Sequence, residues 1–497
     1  MHHSKYILAI DQGTSSTKTL IFDEAGIAVA KGSEDLHTNY FDNGFVEQDP
    51  EGIFRNVLAS VKKCLENFSA KGLAVNAISS IGISNQRETF IVWDKNGQPL
   101  HNAVVWQCKR SVSICEELKQ KGLSDSVNQK TGLVIDPYFS ATKLIWLFRH
   151  NQKVREAVQN GNAFFGTIDT WLLYKLTNGN EYSTDYTNAS RTLFFNLHTL
   201  QWNNELINEF GFGGINLPQI KSSAAVFGIT DCNGLFSKPI PITAMIGDSH
   251  AAAFGEGCFE KGTAKATLGT GCSILMNIGD KPVQSKNGMV TTVCWSIDGR
   301  IDYALEGVIV SCGATIEWLK KELNLFTGSR ETAAMATAVA DNGGVYLIPA
   351  FSGLGSPHWD MERRASLTGM SFGTTKNHIV RAALESIPYQ IKDVIVAMEK
   401  DADVSLQELN ADGGITANEF VIQFLADLLQ KNVATIGNPD VSALGAAYLA
   451  GLQSGVYLSI EHLQQLNKEK KYHQPSTETV IVNRGYAGWQ QTIKTNR

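Results

Sequence analysis

The sequence predicts a mixed α/β fold of two similar lobes. Three observations carry that expectation. Apolar runs of strand length alternate with segments of helical period, the pattern of an α/β protein. The chain opens with the run Tyr6–Ile10, which ends in Asp11-Gln12-Gly13-Thr14-Ser15-Ser16. Near the middle a second run, Ile240–Ile246, delivers Gly247-Asp248, and Ala264–Asn277 repeats an apolar, glycine, apolar order through Gly269-Thr270-Gly271. Two halves that each open on β structure and bring an Asp beside Gly and Thr imply two related lobes, 1–250 and 251–497.

The elements follow in order. After Asp11–Ser16 come the run Thr19–Phe22, a turn at Asp23–Gly26 and the run Ile27–Ala30, which read as an antiparallel meander. Residues 51–66 place Ile53, Val57, Leu58, Val61 and Leu65 at helical spacing, and residues 417–431 share the period. Residues 467–476 read as an exposed turn whose lysines form a solvated surface.

Composition bounds the function. A chain of 497 residues suggests two to four domains at about 150 residues each. With 43% hydrophobic and 19% charged residues it can bury a sizeable core. A net charge of -6 excludes the basic footprint of a nucleic-acid binder. Eight cysteines without a C-x-x-C pair read as reduced, buried thiols rather than a disulfide framework or zinc site. The opening apolar run is too short for a signal peptide, and there is no stretch of 18 apolar residues to span a membrane. The cytoplasm is therefore expected, and His2 and His3 read as part of a flexible end rather than a metal site.

The P-loop and the dinucleotide fingerprint are both absent. A different phosphate device is present in Asp11–Lys18. Its glycine permits close backbone approach, three hydroxyls and Lys18 supply donors, and Asp11 can hold Mg²⁺ through water. Gly269-Thr270-Gly271 offers the same from the second half. Taken alone, each turn is more often a plain hairpin. Asp412-Gly413-Gly414 is a third glycine turn, ahead of a helix starting near Asn418; a nucleotide could rest there, although an ordinary strand-to-helix connection has the same form.

Polar residues of the first half suit a polyhydroxyl ligand. Arg87 and Glu88 follow an apolar run, and a guanidinium beside a carboxylate donates to and accepts from neighbouring hydroxyls. Trp106 and Tyr138 could pack on the carbon face of a polyol or equally be core aromatics. Asp248 ends a strand after Gly247, a placement that suits a general base. His250 is more often a hydrogen-bonded structural histidine in such a position.

Together these segments resemble the FGGY family of carbohydrate kinases over nearly the whole chain. The resemblance rests on Asp11–Ser16, Gly82–Thr89, Ala103–Arg110, Thr131–Ser140, Gly166–Trp171, Thr184–Arg191, Leu268–Cys272, Pro349–Asp360 and Asp412–Gly414. Segments 103–110, 131–140 and 184–191 resemble the branch that acts on glycerol. The resemblance implies the actin-like, ribonuclease-H-like fold, with ATP mainly on the second lobe and substrate mainly on the first. It implies phosphorylation of a terminal hydroxyl of a small polyol, glycerol first, with ATP and Mg²⁺. Thr14, Ser15, Ser16 and Lys18 would serve the phosphates, with Gly269, Thr270, Gly271 and Gly313 opposite and Gly413 and Asn418 at the adenosine end. Asp11 and Asp248 would flank Mg²⁺, with Asp248 as base. Arg87, Glu88, Trp106 and Tyr138 would line the polyol pocket. A homodimer or homotetramer is the family expectation.

Two positions depart from the glycerol branch. It usually carries Gln and Phe where this chain has Ser249 and Ser273. Each replacement removes a contact worth roughly 1–3 kcal/mol and leaves a polar, roomier wall, so a longer polyol or a ketose is the alternative substrate. A regulatory phosphohistidine, found in some relatives ahead of this Asp, has no counterpart, since Ser222–Ile246 contains no His. A non-catalytic nucleotide switch would share the fold, but would need no polyol pocket.

Overall fold

The computed structural model describes residues 5–437, 439–466 and 470–495. His2 and His3 lie outside the described residues. Among those described, the largest sheet has 13 strands. Its first-half strands are β1 (Tyr6–Gln12), β2 (Ser16–Phe22), β3 (Ala28–Asp35), β4 (Ile78–Asn85), β5 (Ala224–Thr230) and β6 (Ile240–Gly247). Its second-half strands are β7 (Thr263–Leu268), β8 (Cys272–Gly279), β9 (Val290–Ile297), β10 (Arg300–Ile309), β11 (Glu408–Asp412), β12 (Val433–Ile436) and β13 (Lys470–His473).

The order β3-β2-β1-β4-β6 recurs as β10-β8-β7-β11-β12. In each set an antiparallel trio is extended by two parallel strands. The two sets meet where β5 lies beside β9, in register at a single pair, Ala224 with Ile297. This duplicated, two-lobed α/β arrangement is the actin-like, ribonuclease-H-like fold, and the opening meander is β1 to β3 as the sequence implies.

Helix α1 (Pro50–Ala70) covers the meander. Asp49 caps it by accepting from the Glu51 N–H, and Pro50 supplies a preset φ at its first turn. Ile53, Val57, Val61 and Leu65 face inward as their spacing requires, and Phe54 and Phe68 complete the buried stripe. The helix lies so close to β3 that a Cβ on Gly32 would meet Ser60 O at 2.4 Å. Helix α2 (Asp248–Gly255) begins at the end of β6, α3 (Glu419–Leu429) follows the Gly413 turn, and α4 (Val441–Ser454) packs on α2 and on β1, β4 and β6. Thus a helix from late in the chain shares one core with Ile7, Ala9 and Ile246 from the first half.

One expectation holds and one is corrected. All eight cysteines are free and buried, matching their expectation. Residues 470–473 are not part of a turn but an edge strand paired antiparallel with β12; residues 467–469 lie outside the described set. Lys470 is accordingly not a solvated lysine, since its Nζ donates to Glu408 Oε1 (3.0 Å) and Asn410 Oδ1 (2.8 Å). Among the described residues no helix is long and apolar enough to cross a membrane.

The α2–α4 contact is the tightest of these. A Cβ on Gly445 would stand 1.8 Å from Ala251 O. Gly445→Ala is therefore expected to cost about 3 kcal/mol or more in urea unfolding, or to prevent folding.

Candidate active site

The parallel register of β1, β4 and β6 sets the site. Asp11 pairs with Ser84, and Ser84 with Ile246, so the strands end side by side. Asp11 and Asp248 thus lie at the ends of strands that flank β4, about two strand spacings (~10 Å) apart along the sheet. A cavity of about 800 Å³ opens at these ends, bounded opposite by the ends of β7 and β11.

One end of the cavity is walled by Arg87, Glu88, Trp106, Tyr138, Asp248 and Glu306. The sequence reading missed Glu306. Arg87 grips it twice, Nη2 to Oε1 at 2.8 Å and Nη1 to Oε2 at 3.2 Å, and sends Nε to Asp248 Oδ1 at 3.1 Å. Arg191, also not singled out, donates through Nε to Glu88 Oε1 at 2.6 Å, and its Nη1 forms an off-axis ion pair with Glu306 Oε2 at 2.7 Å. Both glutamate side chains and Arg191 are 1% exposed, so four charges are buried and mutually neutralised. Burial acts to raise the Glu306 carboxyl, but Arg191 and Arg87 hold it well below the usual carboxylate range. For Glu88, burial outweighs the attraction of Arg191 and Arg87, and its carboxyl is raised. Glu88 also holds a left-handed backbone, φ 58°, a strain its ion pair helps to maintain.

The aromatic wall is built from separate loops. Trp106 Nε1 donates to Thr14 Oγ1 at 2.9 Å, tying it to the first glycine turn. Its ring meets Tyr138 edge to face at 5.6 Å. Tyr138 is held from behind by Lys143, whose Nζ donates to the carbonyls of Pro137 (2.7 Å) and Tyr138 (2.6 Å). Burial pushes the Lys143 ammonium down to about 8. Ser249 and Ser273 come together across the cavity, Oγ to Oγ at 3.2 Å, and Ser273 donates to Glu306 Oε1 at 3.4 Å. His250 is fully buried, 3.4 Å from Thr292 Oγ1, and does not line the cavity.

The other end is walled by Thr14, Lys265, Thr267, Asp412 and the hairpin Gly269–Gly271. Gly271 admits no side chain, since a Cβ would meet Ile309 O at 2.6 Å. Gly313 donates its N–H to Gly269 O at 2.9 Å, so it pins the hairpin from outside the cavity. Asp11 accepts from Ser84 Oγ at 2.9 Å, and burial lifts its carboxyl to about 6. Asp248 remains 40% exposed on its side chain. Lys18 is engaged elsewhere: its Nζ donates to Asp440 Oδ1 at 3.1 Å, and Lys31 takes Oδ2 at 2.6 Å. Asp11, Ser15, Ser16, Gly413 and Asn418 do not line the cavity either. Asn418 caps α3 through the Val421 N–H and donates to Thr332 Oγ1.

The missed residues left faint signals. Glu306 is a lone acid inside the apolar run Tyr303–Ile309, and Lys265 a lone base inside Thr263–Leu268. A charge in an otherwise buried strand needs a partner, but the sequence does not say which.

Comparison with known proteins agrees with this arrangement. Residues 6–255 match the FGGY family of carbohydrate kinases, N-terminal domain, and residues 264–454 its C-terminal domain. The chain is 46% identical over 490 residues to a glycerol kinase of Carboxydothermus hydrogenoformans, covering 98% of this chain and 97% of that one. It is 45% identical to glycerol kinase 2 of Thermotoga maritima, covering 98% of each. Among solved structures it resembles a Plasmodium falciparum glycerol kinase with ADP, at TM-score 0.94 and 34% identity, over 99% of this chain and 98% of that one.

Two outcomes follow from the buried charges. Arg191→Met leaves Glu88 and Glu306 short of a cation, and should cost about 3–5 kcal/mol in chemical denaturation. The Lys143 ammonium is lowered from 10.5 to about 8, so between these values the unfolded chain binds the extra proton. The cost of burying it is full below pH 8 and fades as pH rises to 10.5. Over that window wild type should gain on the order of 3 kcal/mol relative to Lys143→Met, read from unfolding curves.

Proposed function

The chain belongs to the FGGY family of carbohydrate kinases, and from that membership we propose that it transfers the γ-phosphoryl group of ATP to a terminal hydroxyl of glycerol. It is a phosphotransferase with an alcohol acceptor. One observation supports the substrate side above the others: the Asp248 carboxylate is held by Arg87 Nε inside a cavity whose far wall is a glycine hairpin. A base, a hydroxyl-binding guanidinium and a phosphate-sized backbone turn then share one space.

The residues suggest how the transfer proceeds. Among the described residues both N–H donors to the Asp248 carboxylate, Arg87 Nε and the following Ser249 N–H, go to Oδ1. The second oxygen is left to accept the proton of the attacking hydroxyl. Arg87 and Glu88 would orient the polyol hydroxyls, and Trp106 and Tyr138 would cover its carbon face. Thr14 and the Gly269–Gly271 backbone would bind phosphate oxygens, in a lobe assignment of 1–250 mainly for polyol and 251–497 mainly for ATP. Closure around the substrates would exclude water as the acceptor.

Asp11 and Asp248 fit Mg²⁺. They are hard carboxylate donors at the ends of β1 and β6, one on either side of β4, and Mg²⁺ is usually held by one or two carboxylates and the substrate's own phosphates. Asp11, buried with Ser84 as its hydrogen-bond donor, would supply the hard oxygen that such an ion takes. The ion would neutralise charge on the triphosphate. The cytoplasm, where ATP is abundant, suits this reading.

The pairing of Ser249 with Ser273 favours a second reading. Two hydroxyls 3.2 Å apart, one bonded to Glu306, could receive an extra hydroxyl of a tetritol, pentitol or ketose. An ATP-coupled assay over glycerol, erythritol, threitol, pentitols, dihydroxyacetone and ketopentoses separates the two. Glycerol is expected to give the highest kcat/KM, and Asp248→Asn to lose about 10²–10⁴-fold in kcat. ATP turnover that ignores every added polyol would refute the kinase reading.

A further inference from the structure

α2 ends at Gly255, and the next residue, Glu256, is completely buried. Among the described residues neither of its carboxyl oxygens has a hydrogen-bond donor. Asp412 Oδ1, at the end of β11, is buried in the same condition. The two acids act on each other directly. Thus three carboxyl oxygens share a region of the interior without a donor among them, which is costly for any buried acceptor.

The surrounding charges do not balance two carboxylates. Lys265 on β7 is 2% exposed, and its Nζ donates to Thr267 Oγ1 at 2.7 Å. Lys470 on β13 is already committed to Glu408 and Asn410. Cys258, two residues on, is kept a thiol, pushed up to about 12 chiefly by burial. β4, β6, β8, β9 and α4, the other elements packed against α2, contain no Asp, Glu, Lys, Arg or His. Among the described residues Lys265 is therefore the one ammonium left to balance the two acids, since Lys470, which also acts on Glu256, is paired with Glu408. A single proton removes the surplus charge and supplies the missing donor.

We propose that Glu256 is a positioning residue that carries a proton at neutral pH and donates it to Asp412, so that the wall of the cavity presents one carboxylate opposite Lys265 instead of two. Burial, with Asp412 adding to it, also pushes the Glu256 carboxyl well above the usual carboxylate range. Asp412 borders the cavity and pairs in register with Thr267, just before the Gly269–Gly271 hairpin. Its successor Gly413, at φ 92°, lies so close to β7 that a Cβ there would meet Leu268 O at 2.5 Å. The shared proton thereby fixes two glycine turns at once. Loss of the proton would set two like charges against each other and drive Asp412 toward the space of the triphosphate. That last consequence rests on the ATP reading above; the proton itself does not.

Two measurements test this. The first is the thermal midpoint of the ligand-free protein from pH 5 to 9, for wild type and Glu256→Gln. The folded chain keeps a proton that the unfolded chain loses near 4.5, so wild type should lose stability relative to the variant as pH rises, by about 1–2 °C per pH unit. A constant gap overturns the proposal. So does a gap moving the other way; an ionised Glu256 paired with Lys265 would exchange no proton on unfolding in this window and would give the constant gap. Asp412→Asn is the second variant, and it should also flatten the wild-type decline; a decline as steep as wild type overturns the pairing. The protonated-carboxyl C=O stretch in the infrared should weaken on Glu256→Gln, and an unchanged band counts against the proton. The second measurement is KM for ATP against pH. Wild type should rise about threefold or more on the alkaline side, with Glu256→Gln flat there and kcat following one profile in both. Identical KM profiles overturn the positioning role. Absence of turnover with every polyol would refute the kinase reading alone, leaving the thermal result to decide on the proton.

Discussion

The Glu306 carboxylate, clasped by two guanidiniums, is the contact on which the site depends. Arg87 and Arg191 come from the first half of the chain and Glu306 from the second. None of the three can be left alone in the interior, because an unpaired buried charge costs several kcal/mol. The halves must therefore meet in the register that closes this cluster. Glu88 completes it, and Asp248, at its rim, receives the remaining Arg87 donor. The candidate base is thus aimed by the same network that joins the halves.

Backbone geometry does the rest with little help from side chains. Parallel pairing of β1, β4 and β6 brings Asp11 and Asp248 to one edge, and the repeat of that order in the second half brings Leu268 and Asp412 to the facing edge. Glycines allow the close approaches this needs, as at Gly271 against Ile309 O. Positions that read as plain hairpins in isolation become a cavity because the same unit is used twice.

Local features were the legible ones. The opening meander, α1, α3 and the glycine turns all follow from periodicity and turn chemistry within a few residues. Arg87, Glu88, Trp106, Tyr138, Ser249 and Ser273 were nominated from the sequence and line one cavity. Lys18 was nominated from the same turn as Thr14, yet its charge is claimed by Asp440, 422 residues away. Glu306 and Arg191 were passed over for the same reason: their significance lies in a partner brought near by the fold. Residues 467–476 read as an exposed turn with solvated lysines, whereas Lys470 lies along β13 beside Glu408 and Asn410. Distance in the chain, more than residue chemistry, decided what could be read.

The placement of α4 bears on how the molecule is made. The sheet of the first half has one face covered by a helix that ends at Ser454, and Gly82, Gly255 and Gly445 are shaped to that contact. During synthesis the opening strands can pair and take up α1 early. Their other face stays uncovered until nearly the whole chain has left the ribosome. A nascent chain halted near residue 250 would hold an unfinished layer, dependent on chaperones or prone to self-association. The order of synthesis and the order of assembly are therefore out of step in this protein, and its first half is completed almost last.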